Sequence, residues 1–125
     1  MEVLRQRRRI REEVIEKAIE WARGLPLKAT VMLVGSYARG DFNLWSDVDV
    51  IVIAEFNNRP IERLENTDHP PGFEVIPLTP KEFTRLIEKK NPLALEALNT
   101  GIVLRDDLYM KEYTKNSCER SRQNV

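Results

Sequence analysis

Residues Val34–Ile53 read VGSYARGDFNLWSDVDVIVI, and the second half of this stretch decides the fold. From Val48 to Ala54 the chain is apolar except at Asp49, the pattern of a buried strand, yet Asp47 and Asp49 stand at its mouth. Residues two apart in a strand share a face, so both carboxylates point the same way, about 6.6 Å apart along the chain. Val48, Val50 and Val52 take the other face. Like charges at the edge of a core repel each other and lose hydration, a cost that a divalent cation relieves. Oxygen-only ligands suit Mg²⁺ or Mn²⁺, and Mg²⁺ usually takes one or two protein carboxylates and fills its shell with water and phosphate oxygens. The pair therefore points to a nucleotide.

The first half of the stretch offers a place for phosphates. Gly35 ends a strand where a missing side chain lets an anion approach the backbone, and Ser36 brings a hydroxyl and an N–H to the next turn. Arg39 adds a charged fork. Ser46 joins the nucleotide-binding set, although its first expected task is to hydrogen-bond the turn that sets the aspartates. Trp45 is expected to pack rather than to wall the cleft or stack on a base. What makes the stretch specific is the combination of strand, Gly-Ser, ten residues, Asp-x-Asp and strand.

Upstream, Ile10, Val14, Ala18 and Trp21/Ala22 recur at helical spacing, Ile15 and Ile19 widen the stripe, and Gly24 with Pro26 supplies the stop. Five arginines fall between Arg5 and Arg11, and the acidic Glu12, Glu13 and Glu16 that follow make them a solvated helix face more than an RNA patch. Ala29–Val34 reads as a short buried strand. Downstream, a short helix is expected over Ile61–Glu65, and the loop around His69 follows from its Pro and Gly content. Phe73–Leu78 reads as a strand that Pro77 confines to a sheet edge. Thr79-Pro80-Lys81-Glu82 has the grammar of a helix start, Asn91-Pro92 restarts a second helix to about Leu98, and Gly101–Leu104 reads as a last strand.

The 125 residues carry 20 Lys+Arg against 20 Asp+Glu, so any electrostatic function is local rather than global. No apolar run approaches the roughly 20 residues that span a bilayer, and charges interrupt the N-terminal segment where a signal peptide needs an apolar one. A soluble cytoplasmic protein is expected, and the single cysteine, Cys118, fits a reducing compartment.

GSYARGDFNLWSDVDVIVI resembles the signature of the DNA polymerase beta-like nucleotidyltransferase superfamily, and the chain is similar to its minimal nucleotidyltransferase branch. The likeness runs from about Leu33 to Leu104, with FEVIPLTPKEF and NTGIVLRDD matching that branch's third strand, following helix and closing strand. It implies an α+β nucleotidyltransferase fold, a small mixed sheet of three to four strands flanked by helices. The domain is expected over residues 1–112, with an N-terminal helix at 3–23, the signature at 34–54 and a polar tail at 113–125.

The resemblance implies transfer of a nucleoside monophosphate, usually AMP from ATP, to a hydroxyl. In such a site the Gly-Ser pair, here Gly35 and Ser36, holds the triphosphate. Asp47, Asp49 and a third carboxylate hold two Mg²⁺ ions, one activating the attacking hydroxyl and one neutralising the leaving pyrophosphate. Strand alternation puts Glu74 at the opening of the face shared with Ile76 and Leu78, which makes it the expected third ligand over Asp68 and Glu82. Small stand-alone members resemble the antitoxin half of toxin-antitoxin pairs whose partner is a HEPN-domain RNase and whose act is AMP transfer to that partner's tyrosine. A chain this short is expected to take its acceptor hydroxyl from a protein. The alternatives are nucleotidyl transfer to RNA or a small molecule, or a binding module without catalysis that docks through the first helix or through Leu93–Leu98.

Overall fold

The computed structural model describes residues 2–59, 62–65 and 67–110. The polar tail at 113–125 with its Cys118, and Ile61 at the head of the short helix expected there, lie outside these residues.

The chain runs α1 (Glu2–Arg23), β1 (Thr30–Val34), α2 (Ser36–Arg39), β2 (Val48–Ile53), β3 (Phe73–Leu78), α3 (Pro80–Glu88), α4 (Pro92–Thr100) and β4 (Ile102–Asp106). One sheet takes the strands in the order β3-β2-β1-β4. β1 is antiparallel to both neighbours, and β2 and β3 are parallel. The α+β expectation, a mixed sheet flanked by helices, is met with four strands, and Pro77 lies in an edge strand as its missing N–H requires.

Both sheet faces are covered, which is why β1 and β2 are apolar almost throughout. On one face, Val31, Leu33, Val50 and Val52 pack with Ala18 and Ala22 of α1, and Val14, Ile15 and Ile19 close over them. On the other, Met32, Val34, Ile51 and Ile53 pack with Phe83 of α3 and with Ala94 and Ala97 of α4. The apolar faces of α1 and of Leu93–Leu98 are thus largely used within the fold, which leaves the docking alternative mainly the start of α1. The exposed apolar side chains of α1 sit near its start, at Val3, Leu4 and Ile10.

Local rules set the boundaries. Thr79 caps α3 with a full capping box: its hydroxyl accepts from the Glu82 N–H, and the Glu82 carboxylate accepts from the Thr79 N–H. Asn91 caps α4 by accepting from Leu93 and Ala94. Among the described residues no helix is long and apolar enough to cross a membrane.

Candidate active site

The acidic residues gather where β1 ends and β2 and β3 begin. The register opposes Val34 to Asp49 on one side and Asp49 to Glu74 on the other, so three strands meet at one carboxylate. The Val48 N–H donating to the Gly72 carbonyl at 2.8 Å fixes the entry of β3, and with it the height of Glu74.

Asp49 is half-buried, on the sheet face that carries Ile51 and Ile53. Burial pushes its carboxyl above the usual carboxylate range. The Glu74 charge and hydrogen bond add to that push, Asp47 adds less, and the nearby Arg39 charge opposes it. Two acidic side chains held side by side in this way make a place suited to a cation. Asp47 stands at the exposed rim, and among the described residues no three acidic, histidine or cysteine side chains are already gathered as a metal cluster. The rivals to Glu74 lie elsewhere. Glu82 is held by Thr79 and Arg63 beyond the far end of β3, and Asp68 lies in an exposed loop whose carbonyl accepts from the Trp21 indole.

Gly35 adopts φ +77°, ψ −158°, a region open essentially to glycine alone. A Cβ there would lie 2.5 Å from Asp49 Oδ2. Glycine is needed first because the Asp49 carboxylate lies against this backbone. Ser36 follows, half-buried, opening α2.

Arg39 does not extend freely over the site. It pairs with Asp41 at 3.1 Å and with Glu96 of α4, bracing α2 against the helix on the opposite face. Ser46 does what its turn requires: its hydroxyl accepts from the Asn43 N–H at 2.9 Å, and Asn43 Oδ1 accepts from the Trp45 N–H at 2.8 Å. The packing expected of Trp45 is overturned. It is 90 % exposed beside an equally bare Leu44, because the turn that Ser46 closes points both away from the core.

A family model described as a nucleotidyltransferase domain matches residues 7–122. The chain belongs to the nucleotidyltransferase domain family. None of the curated proteins matches it significantly. Among solved structures, a proposed nucleotidyltransferase from Sulfolobus solfataricus superposes with a TM-score of 0.51 at 19% identity, covering 82% of this chain and 86% of that one. A toxin-antitoxin structure with AMP-PNP gives 0.51 at 19%, with 88% of each chain covered. The toxin-antitoxin MntA-HpeT, carrying Asp-to-Glu changes at two aspartates two positions apart, gives 0.50 at 16%, again with 88% of each chain covered. At such identities the likeness speaks for the fold.

The sequence reading of this nucleotidyltransferase missed two residues beside the site. Both were assigned to a solvated face, yet Arg11 bonds the Tyr37 and Ala38 carbonyls of α2, and Arg7 bonds those of Gly40 and Phe42 just beyond it. Their i, i+4 spacing, which puts both on one helix face, was the available signal.

Proposed function

We propose that this nucleotidyltransferase transfers AMP from ATP to a hydroxyl on a partner protein, as the antitoxin of a toxin-antitoxin pair whose toxin is a HEPN-type RNase. The observation that carries the chemistry is the Asp49–Glu74 pair. A half-buried carboxyl raised by burial and by a second carboxyl is a costly arrangement that a divalent cation would relieve. The donor set fits Mg²⁺, or Mn²⁺, in being all oxygen. Asp47, Asp49 and Glu74 would hold it, with Asp47 turning in from the rim. Bound there, the two ions would supply Lewis-acid activation of the hydroxyl and charge neutralisation at pyrophosphate.

The remaining work is positioning by the chain itself. Gly35 leaves the Asp49 carboxylate room against the backbone, and Ser36 stands beside it to meet the triphosphate. Ser46 holds the turn that delivers Asp47. Support for the acceptor class comes from the two toxin-antitoxin neighbours, one with a nucleotide analogue and one altered at two aspartates spaced like Asp47 and Asp49. The exposed Leu44 and Trp45 add an apolar rim where a protein acceptor would sit.

The test is incubation with ATP labelled in the α-phosphate, Mg²⁺ and the product of the adjacent gene. Label is expected on a hydroxyl side chain of that protein, and is expected to vanish with Asp49→Asn. Label appearing on RNA instead, or persisting in Asp47→Asn and Asp49→Asn alike, would overturn the proposal.

A further inference from the structure

α2 is a single turn of helix. Its closing main-chain bonds are Arg39 N–H to the Gly35 carbonyl and Gly40 N–H to the Ser36 carbonyl, and the glycines bounding it both have positive φ. So short a helix does not hold its own shape, because nucleation fixes several residues for very few hydrogen bonds.

What holds it comes from α1. Arg11 Nε donates to the Tyr37 carbonyl at 2.7 Å and Arg11 Nη2 to the Ala38 carbonyl at 2.8 Å. One turn earlier, Arg7 Nη2 donates to the carbonyls of Gly40 at 3.2 Å and Phe42 at 2.9 Å. The Arg7 guanidinium also lies 4.5 Å over the Phe42 ring, which stacks on Tyr37 at 4.4 Å. The Arg11 fork and the Arg7 Nη2 therefore fasten the main chain from residue 37 to residue 42, immediately after Gly35 and Ser36. A fork on two successive carbonyls is a geometry that lysine cannot reproduce.

The same chemistry recurs at the other end of α1 with nothing catalytic nearby. Arg105 donates to the carbonyls of Ala22, Leu25 and Leu27, tying the α1 exit to β4. Arg105 fastens the fold, and the Arg7–Arg11 pair fastens the turn that carries Gly35 and Ser36.

We infer that Arg7 and Arg11 are positioning residues of the nucleotide site, holding the 35–42 turn from outside so that Gly35 and Ser36 meet the triphosphate in one conformation. The inference rests on the nucleotide reading above. It makes the N-terminal half of α1 part of the active-site machinery, acting without touching substrate.

Two measurements on the full chain decide it: affinity for Mg²⁺ with a non-hydrolysable ATP analogue, and hydrogen exchange resolved by segment. Arg11→Gln and Arg11→Lys should both weaken analogue binding about tenfold, the scale of a lost charge-assisted hydrogen bond. Both should speed exchange in residues 36–42 and leave β1 and β2 protected. Arg8→Gln and Arg9→Gln remove equal charge from exposed positions on the same helix and should change neither. Arg105→Gln should lower the melting temperature more than Arg11→Gln while leaving affinity intact. Unchanged exchange in residues 36–42, or a loosened turn with full affinity, would overturn the inference. So would equal losses of affinity in Arg8→Gln and Arg11→Gln. If the wild type binds no nucleotide, the proposed function fails instead, and exchange alone decides the clamp: kept if Arg11→Gln releases the turn, lost if it does not.

Discussion

Asp49 and Glu82 sit toward opposite ends of the β2–β3 pair and meet opposite surroundings. Asp49 faces Glu74 across the ladder, with Asp47 nearby, and its carboxyl is raised by burial and by those neighbours. Glu82, just beyond β3, is clasped by Arg63, whose side chain is almost wholly buried, and by the Thr79 N–H, and these hydrogen bonds lower it. At one end the fold keeps an acid where charge is unfavourable, and at the other it completes an acid's bonding. Removing charge at the first should cost chemistry and spare stability, whereas removing it at the second should do the reverse.

The severest break of this contrast is Gly35→Ala, which strikes the strained end sterically. The new methyl would meet Asp49 Oδ2 at 2.5 Å and the backbone would remain at φ +77°. A loss of about 2–4 kcal/mol in urea unfolding is expected, together with loss of transfer. Adding Asp49→Ala should return part of the stability and none of the activity, because it removes the clash and leaves the dihedral strain. A double variant no more stable than Gly35→Ala would show that contact with Asp49 is not what requires glycine.

Next, Glu74→Gln, Glu82→Gln and Asp68→Asn compared in one transfer assay and one set of melts sharpen the contrast directly. Glu74→Gln should lose at least about a hundredfold in transfer if it holds a metal ion, with a melting temperature no lower than wild type. Glu82→Gln should keep transfer and lose about 1 kcal/mol, the value of a capping interaction. Asp68→Asn should be nearly silent in both. Transfer collapsing in Asp68→Asn with Glu74→Gln active would move the third carboxylate from β3 to the loop before it.

Titration gives a smaller and signed effect. A raised carboxyl such as Asp49 adds stability below its unfolded value near 3.8 and loses it as pH rises through the folded value. Asp49→Asn should therefore gain stability over the metal-free wild type at neutral pH and show no gain below about pH 3.8. Glu82 and Asp107 are lowered, Glu82 by Arg63 and Thr79, Asp107 by the Ala29 N–H and Arg105. Their contribution is present above their unfolded values near 4.5 and 3.8 and fades as pH falls through the folded ones. Paired melts of wild type and Asp49→Asn from pH 3 to 8 check the sign. A gap constant across that range would contradict it.

The strands and the helix starts were legible in the sequence because local rules decide them, and Glu74 was reached by strand alternation together with the family resemblance. An unbroken apolar run between charged ends makes β2, Pro77 marks the edge, and Thr79 to Glu82 spells a cap. Illegible were the contacts that depend on which helix crosses which turn. Arg7 and Arg11 bond carbonyls 26 to 35 residues away, and Arg39 reaches Glu96 at a separation of 57. Main-chain carbonyls carry no residue-specific signal, so five arginines beside three glutamates read as ordinary helix pairs. Trp45 failed for a related reason: a large aromatic suggests burial unless the turn beneath it is known to be closed by its own polar side chains.

Trp45 also supplies the mildest perturbation, at the same mouth of the sheet as Asp49 but outside the network that strains it. At 90 % exposure it has almost no buried area to lose, so Trp45→Ala should move the unfolding free energy by no more than about 0.5 kcal/mol. The main-chain N–H that Asn43 accepts survives the change, so the turn and the placement of Asp47 should persist. Its functional effect then depends on what the exposed ring meets. If Leu44 and Trp45 form a rim for a protein acceptor, Trp45→Ala should raise KM for that protein about tenfold, as loss of an aromatic contact at an interface does. The affinity for Mg²⁺ and the ATP analogue should stay at the wild-type value. A loss of analogue affinity with the protein KM unchanged would instead put the indole against the nucleotide base, and the acceptor rim would have to be sought elsewhere.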